Sequence, residues 1–170
     1  MGAYTIIPAS HEHVPFLASV ERAAATVFPE GSIPDALRED SVPLSVLAAA
    51  VSTGGLWVAL DADGRVVGFA LLRTVDGIAL LAEVDVAPEH ARKGVGRRLI
   101  AAAAGRAREA GYDALYLTTF SHVAWNMPFY ARIGFSVLPE GSAPPALERA
   151  LLEERARGLA HRVAMRLALG

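Results

Sequence analysis

The chain has 170 residues, a formal net charge of −2 at pH 7 and no cysteine. This length is enough for one domain with a sizeable hydrophobic core. The near-neutral charge argues against general nucleic-acid binding, which needs a broad basic surface. Without cysteine the chain cannot form a disulfide, a thiolate zinc site or a cysteine nucleophile.

The first residues lack the basic region and the long apolar run of a signal peptide. The most apolar stretches, such as 99–104, are too short to span a bilayer. We therefore expect a cytoplasmic protein with no membrane partner. Because we find no internal repeat, disordered tract or linker, we predict a single domain over residues 1–170.

Hydrophobic periodicity and turn residues predict alternating strands and helices. The predicted strands cover 4–8, 56–60, 66–73, 78–86, 114–120, 135–138 and 161–169. The predicted helices cover 10–27 with Ser10 as cap, 44–52, 95–110, 128–133 and 144–157, with one short helix inside 29–43. Turn signals at 61–64 and 76–77 join the second to fourth strands into a meander. A helix precedes 114–120, so this strand should run parallel to its predecessor. The pattern predicts an α/β fold with a mixed sheet.

The segment 84–100 is the most informative part of the chain, because it reads as a strand end, a basic loop with two glycines, and a helix. The first N–H groups of a helix have no intrahelical partner and lie at the positive end of its dipole. Such an end binds phosphate readily. Four basic side chains add positive charge: Arg92, Lys93, Arg97 and Arg98. We therefore predict a small polyanionic ligand at this loop.

Three motifs occur in a specific order: Glu-Val-Asp-Val-Ala-Pro at 83–88, Arg-Lys-Gly-Val-Gly-Arg at 92–97, and Phe-Tyr-Ala-Arg-Ile-Gly-Phe at 129–135. With them the chain resembles the GNAT superfamily of acyl-CoA-dependent N-acyltransferases over nearly its whole length. The resemblance implies a mixed, mostly antiparallel central sheet that is flanked by helices and has splayed central strands. It also implies acetyl-CoA as cosubstrate and a homodimer as a common assembly among relatives. Because His11 and His13 lie near a helix start without ligand spacing to partners, we expect no metal.

By this resemblance the glycine loop holds the pyrophosphate of coenzyme A with its backbone amides. The residues are Arg92, Lys93, Gly94, Val95, Gly96 and Arg97. Ala91 stands where the family usually has Arg or Gln, so the backbone, with Arg92 and Arg97 nearby, is expected to carry the phosphate contacts. The strand residues Val84, Asp85 and Val86 are expected to pair with the pantetheine arm through their backbone. An N–H near Val84 would receive the thioester oxygen.

The same resemblance assigns the catalytic roles. Tyr130 matches the residue that protonates the departing thiolate, although a Tyr on such a helix is also commonly a core residue. Glu83 is the expected general base, directly or through water. Asp85 has the same strand parity and could share this role, because two nearby acids raise one pKa toward neutrality. His122 is a weaker alternative.

Asn126 has two readings. The family often places an Asn seven residues before the Tyr, and Val123 occupies that position here. Asn126 precedes Met127-Pro128, a typical helix start, so we predict that it caps the helix rather than contacting a ligand.

We therefore predict an N-acetyltransferase in which a primary amine attacks acetyl-CoA directly in a ternary complex. The alternative is a catalytically silent acyl-CoA sensor or interaction domain on the same fold. In this fold the acceptor is usually chosen by 10–52 and 139–160. The carboxylates of these segments either attract a cationic amine or form solvated helix faces: Glu21, Glu30, Asp35, Glu39, Glu148, Glu153 and Glu154. A small molecule, a peptide N-terminus and a lysine side chain all stay open as acceptors.

Overall fold

The computed structural model describes residues 3–170, which form a seven-stranded sheet with strand order β1-β2-β3-β4-β5-β7-β6. The strands are β1 Thr5–Pro8, β2 Leu56–Leu60, β3 Val66–Val75, β4 Ile78–Val86, β5 Ala114–Phe120, β6 Ser136–Val137 and β7 Arg162–Ala168. The helices are α1 Leu17–Ala25, α2 Asp35–Arg38, α3 Leu44–Thr53, α4 Val95–Glu109, α5 Asn126–Ile133 and α6 Pro145–Ala156, with 3₁₀ turns at Val14–Phe16 and Pro88–His90.

The sheet is antiparallel except between β4 and β5, which run parallel. This arrangement confirms the predicted mixed, mostly antiparallel sheet and the crossover through α4. Helix α3 ends at Thr53, one residue later than predicted, and the following Gly54 adopts a left-handed conformation with φ of 74°. Glycine reaches this conformation without the steric cost that a side chain brings.

Helices cover both faces of the sheet, so its strands are apolar on both sides. On one face, α4 buries Leu99 and Ile100 against Leu117 of β5. On the other face, Leu17 of α1 and Leu47 of α3 pack against the central strands. These two cores hold the middle of the sheet rigidly between helices, which fixes the position of the strand edges described below.

The predicted helix start at Ser10 is wrong. The backbone N–H of Ser10 donates to Nδ1 of His13, 3.0 Å away, and α1 begins only at Leu17, after a 3₁₀ turn. Pro15 fits the first turn of that 3₁₀ segment because proline lacks the N–H that is unpaired there. The buried stripe of α1 survives the shift, since Leu17 and Val20 are both buried.

A β-bulge in β4 decides which side chains reach the site. Leu72 lies opposite Leu81 and Leu71 lies opposite Glu83, so Ala82 is an extra residue on β4. One extra residue reverses the alternation of side chains between the two faces. Leu81 therefore packs in the core beside α4, whereas Glu83, two residues later, belongs to the opposite face.

None of the helices within residues 3–170 combines the length and the apolar character needed to cross a membrane.

Candidate active site

The central strands β4 and β5 separate soon after they meet. They pair only at Ala79 with Leu115 and at Leu80 with Tyr116. Beyond that point β5 pairs with β7 as far as Phe120, and the facing edge of β4 has no strand partner within residues 3–170. A cleft of about 650 Å³ lies at this splay, a volume within the range of small-molecule sites.

The cleft walls come from β4, β5, the segment 21–46, α5 and the segment 154–162. Both segments that were predicted to choose the acceptor therefore line it. Its acidic residues are Glu21, Asp40, Glu83, Asp85 and Glu154. Two of these acids are paired: Asp40 with Arg157 at 2.6 Å and Glu154 with Arg162 at 3.1 Å.

The other three acids form a cluster. Glu21, Glu83 and Asp85 each place a carboxylate oxygen within 4.8 Å of the other two, and all three side chains are half-buried. Like charges this close cannot all ionise near neutral pH without mutual repulsion. The predicted proximity of Glu83 and Asp85 is therefore present, and Glu21 joins them.

The cluster holds protons more tightly than separate carboxylates do. Burial raises the pKa of Asp85 well above its usual range, and the negative charge of Glu83 raises it further. Burial also raises the pKa of Glu83, while a hydrogen bond from Asp85 opposes that rise. Burial raises the pKa of Glu21 to about 7, against the opposing effect of a 2.9 Å hydrogen bond from the N–H of Val42. The cluster therefore releases its protons at higher pH than separate carboxylates do.

Tyr130 projects from α5 into the same cleft. Its ring packs edge-on against Phe129 and Phe135, with centroids 5.1 and 5.8 Å away. Burial raises the pKa of its hydroxyl above the usual value, and the charges of Asp85 and Glu83 raise it further. The hydroxyl therefore stays protonated at neutral pH and can donate a proton or a hydrogen bond.

The glycine loop leads into the start of α4 beside the splay. Gly94 precedes α4 with φ of 81°, a left-handed conformation that favours glycine, and Arg92 also has a positive φ of 60°. No side chain caps the helix, so the N–H groups from Gly94 to Arg97 face outward. This arrangement fits the diphosphate of a nucleotide cosubstrate.

The four basic side chains of the loop differ in whether they already have a hydrogen-bond partner. Arg97 donates to the carbonyl of Arg132, 3.1 Å away, and Arg98 donates to a carbonyl just before β1. Arg92 and Lys93 are exposed and make no side-chain hydrogen bond or ion pair within the described residues. Arg92 and Lys93 can therefore turn toward an anion without breaking an existing hydrogen bond.

Gly96 links this loop to the helix that carries Tyr130. A Cβ at this position would lie 3.3 Å from the ring of Phe129, which is tighter than ordinary packing. The missing side chain lets the start of α4 approach α5 closely. The start of α4 therefore packs directly against the residue that precedes Tyr130.

The prediction that Asn126 caps a helix is wrong. Trp125 holds the cap position, and Asn126 is the first residue of α5. Its Nδ2 donates to Oγ1 of Thr119 on β5, 3.0 Å away, at the wall of the cleft. Val123, where the family often has Asn, is buried with Ile33. Asn126 therefore joins α5 to the splayed strand.

His122, the weaker candidate for the base, lies outside the cleft walls. It is exposed, and its Nε2 lies 2.9 Å from the carbonyl oxygen of Ser32. Its ring stacks on His161. The structure thus brings together Glu83, Asp85 and Tyr130 without His122.

Sequence reasoning did not single out Glu21, although a signal was present. Leu17, Val20 and Ala24 define an apolar stripe, and Glu21 occupies the i+4 position of that stripe. A charged residue at a position that faces the sheet indicates a polar site on that face.

The comparison with known families agrees with this geometry. A model of the acetyltransferase (GNAT) family matches residues 19–135. The chain belongs to this family. The matched range includes most of α1, the bulged β4, the glycine loop and Tyr130, whereas the cleft wall at 154–162 lies beyond it.

Individual relatives share the fold at low identity. The PaiA N-acetyltransferase from Thermoplasma acidophilum, solved with coenzyme A, superimposes with a TM-score of 0.72 at 18% identity, over 98% of this chain and 99% of that one. N-acetylglutamate synthase from Neisseria gonorrhoeae, solved with coenzyme A and N-acetyl-glutamate, gives 0.74 at 20% identity, over 99% of this GNAT chain and 35% of that one. Streptothricin acetyltransferase from Streptomyces lavendulae is 37% identical over 82 residues, which span 47% of this chain and 43% of that protein.

Proposed function

We propose that this chain is an N-acetyltransferase that transfers the acetyl group of acetyl-CoA directly to a primary amine in a ternary complex. The observation that carries this proposal is the splay between β4 and β5. It places an unpaired strand edge, a cluster of carboxylates and a protonated tyrosine around one cleft. Such a cleft has the parts that acyl transfer to an amine requires.

Acetyl-CoA fits two features of the chain. The diphosphate would bind the N–H groups of Gly94 to Arg97, with Arg92 and Lys93 supplying charge. The pantetheine arm would lie along the free edge of β4 and pair with the backbone of Val84, Asp85 and Val86, as an added strand does. The family relatives solved with coenzyme A support this choice of cosubstrate.

The chemistry uses the carboxylates and the tyrosine in turn. Glu83, directly or through water, takes a proton from the acceptor ammonium, and the freed amine forms a bond to the thioester carbonyl carbon. A backbone N–H near Val84 stabilises the carbonyl oxygen as it gains negative charge. The carbon–sulfur bond then breaks, and Tyr130 donates its proton to the departing sulfur. The nitrogen loses its second proton to solvent, and solvent reprotonates Tyr130, so that each turnover releases one net proton, the one taken by Glu83. The products are an N-acetyl amine and coenzyme A.

The proposal is tested in two steps. Isothermal titration with acetyl-CoA measures binding, and release of free thiol is then followed over a panel of amines. The panel contains alkylamines, a lysine peptide, a peptide with a free N-terminus and streptothricin, which is included because of the named relative. We expect binding and amine-dependent thiol release. Glu83→Gln should lose the release, whereas Glu89→Gln, an exposed acid just beyond the same strand, should keep it.

The alternative is a catalytically silent acyl-CoA sensor on the same fold. Ala91 and Val123, which replace residues that the family usually has at the loop and before the tyrosine, are the features that favour it. Binding of acetyl-CoA without thiol release by any amine would support the sensor and refute the transferase.

A further inference from the structure

Glu21 has no part in the transfer chemistry proposed above, yet it lies at the centre of the site. Its position in the stripe with Leu17 and Val20 directs its side chain from α1 toward the sheet. There its carboxylate meets Glu83 and Asp85 within 4.8 Å. In the free protein this is an unfavourable place for a negative charge, because burial and two like charges both oppose ionisation.

The charge of Arg22 lowers the pKa of Glu21, but by less than burial, Glu83 and Asp40 each raise it. No arginine, lysine or histidine makes an ion pair with Glu21 within residues 3–170. Three arginines line the cleft: Arg157 pairs with Asp40, Arg162 pairs with Glu154, and Arg73 is exposed and forms no ion pair within the described residues. The recorded hydrogen-bond donor to Glu21 is the N–H of Val42, which leaves the rest of the carboxylate facing the cleft.

The cleft continues past Glu21 along an apolar wall. Beyond the acids it is lined by Phe28, Ile33 and Leu37, and its volume of about 650 Å³ is much larger than a single small amine. An alkyl chain can lie on this wall while polar groups at its ends meet the carboxylates. The site therefore offers two positions for positive charge, one at Glu83 and one at Glu21, with an apolar surface beside them.

Resting on the proposed function, we infer that Glu21 determines acceptor specificity by binding a second ammonium group, so that the preferred acceptors are short alkyl diamines and their polyamine homologues. The first amine loses its proton at Glu83 and is acetylated. The second amine stays charged and is held by Glu21. The bound ammonium relieves the repulsion within the carboxylate cluster, which a monoamine of equal length cannot do once its single nitrogen has been deprotonated.

The test compares putrescine with n-butylamine, which has the same carbon chain and one amine. We expect the wild-type kcat/KM for putrescine to exceed that for n-butylamine by roughly tenfold or more, the effect of one charge-assisted hydrogen bond. Glu21→Gln should abolish this preference by raising the KM for putrescine, with little change for n-butylamine. Glu21→Asp should retain part of it. Glu39→Gln, a nearby exposed acid outside the cleft walls, should keep the full preference.

The outcomes separate the two proposals. Equal kcat/KM for the two amines in the wild-type protein would overturn the role of Glu21 and leave the transferase intact. Thiol release by neither of these amines, nor by any other of the panel, would overturn the transferase itself. If Glu21→Gln slows both amines equally, the residue does not select acceptors. If EDTA abolishes activity and Mg²⁺ restores it, the cluster binds a divalent cation and the inference is wrong. If Glu21→Gln does not fold, Glu21→Asp gives the same test, and an unchanged preference in that variant would overturn the role of Glu21.

Discussion

Replacing Tyr130 by Phe removes one oxygen from the site and leaves the packing of the ring unchanged. The edge-on contacts with Phe129 and Phe135 involve only the ring, so the variant keeps them. The hydroxyl forms no hydrogen bond within the described residues, and its loss leaves no buried protein group unpaired. We therefore expect the free energy of unfolding to change by less than about 1 kcal/mol.

The expected loss of turnover follows from the pKa of the hydroxyl. General acid catalysis contributes roughly 10²- to 10⁴-fold. Burial and the nearby carboxylates raise the pKa of Tyr130 above its usual value, whereas a free thiol has a pKa of about 8.5. Proton transfer from this tyrosine to a thiolate is therefore unfavourable, so we expect Tyr130 to contribute at the low end of the roughly 10²- to 10⁴-fold range. We expect kcat to fall about a hundredfold, equivalent to about 2.7 kcal/mol.

The assay is steady-state thiol release from acetyl-CoA across pH, together with titration of coenzyme A. The dissociation constant for coenzyme A should change by less than about twofold, since its contacts are expected at the glycine loop and β4. Wild-type kcat should fall only well above neutral pH, where the tyrosine ionises, and the variant should lack this basic limb. Unchanged kcat at all pH values would show that the tyrosine donates neither a proton nor a hydrogen bond to sulfur.

Three further changes test the carboxylates and the helix start. Glu83→Gln should lower kcat/KM at least about a hundredfold. In the wild-type protein the rate should rise with pH, because the base acts only when it is deprotonated, and the variant should lack this rise. Thiol release measured from pH 5 to 9 tests both expectations. Because the pKa of Glu21 is raised from 4.5 to about 7, wild-type stability should fall as pH rises through this interval. Glu21→Gln should therefore be more stable than wild type by about 2 kcal/mol at pH 8 and by little at pH 4, measured by urea unfolding; an equal difference at both values would contradict the shift. Gly94→Ala should lower the free energy of unfolding by about 1 kcal/mol and weaken coenzyme A binding, because Gly94 has a positive φ. The control Gly105→Ala lies inside α4 with open space around it and should raise the free energy of unfolding by about 0.5–1 kcal/mol.

The strands and their order of connection could be predicted because the turns are strongly marked. The Asp-Gly pairs at 63–64 and 76–77 separate three apolar runs, and β4 begins and ends where the pattern predicts, at Ile78–Val86. The predicted helix start at Ser10 is wrong, because this residue is suited to capping but lies seven residues before α1 begins at Leu17. The N–H of Ser10 is already paired with His13, and Pro15 permits a 3₁₀ turn before the helix. Local propensity predicts that a cap is available but not which turn uses it.

The faces of β4 could not be read from periodicity alone. Strict alternation would place Leu81, Glu83 and Asp85 on one face, which would bury the acids beside α4. The extra residue Ala82 turns the acids to the opposite face. Nothing about an alanine in an apolar strand indicates a bulge, because the bulge is defined by the register with β3. Strand parity correctly predicts that Glu83 and Asp85 share a face, but only the register with β3 shows which face it is.

The position of Asn126 shows a related limit. The residues before Pro128 have the composition of a helix start, and the prediction of the helix itself was right. The cap assignment was wrong because Asn126 finds a better partner, Thr119, on a strand that is close only in the folded chain. Contacts between distant segments decide such roles, and a single sequence does not contain them.

The burial of the carboxylates links stability to the proposed chemistry. An alkylammonium has a pKa of about 10.4, so its proton transfer to an ordinary carboxylate with a pKa of 4.5 is unfavourable by about 8 kcal/mol. Each pKa unit that the site adds to the carboxylate removes about 1.4 kcal/mol of this barrier. The pKa of Glu83 is raised by burial and, to a smaller extent, by the charge of Asp40, so it does not depend on Glu21. Removal of Glu21 should therefore stabilise the protein and abolish the preference for a second ammonium, while Glu83 remains able to deprotonate a monoamine.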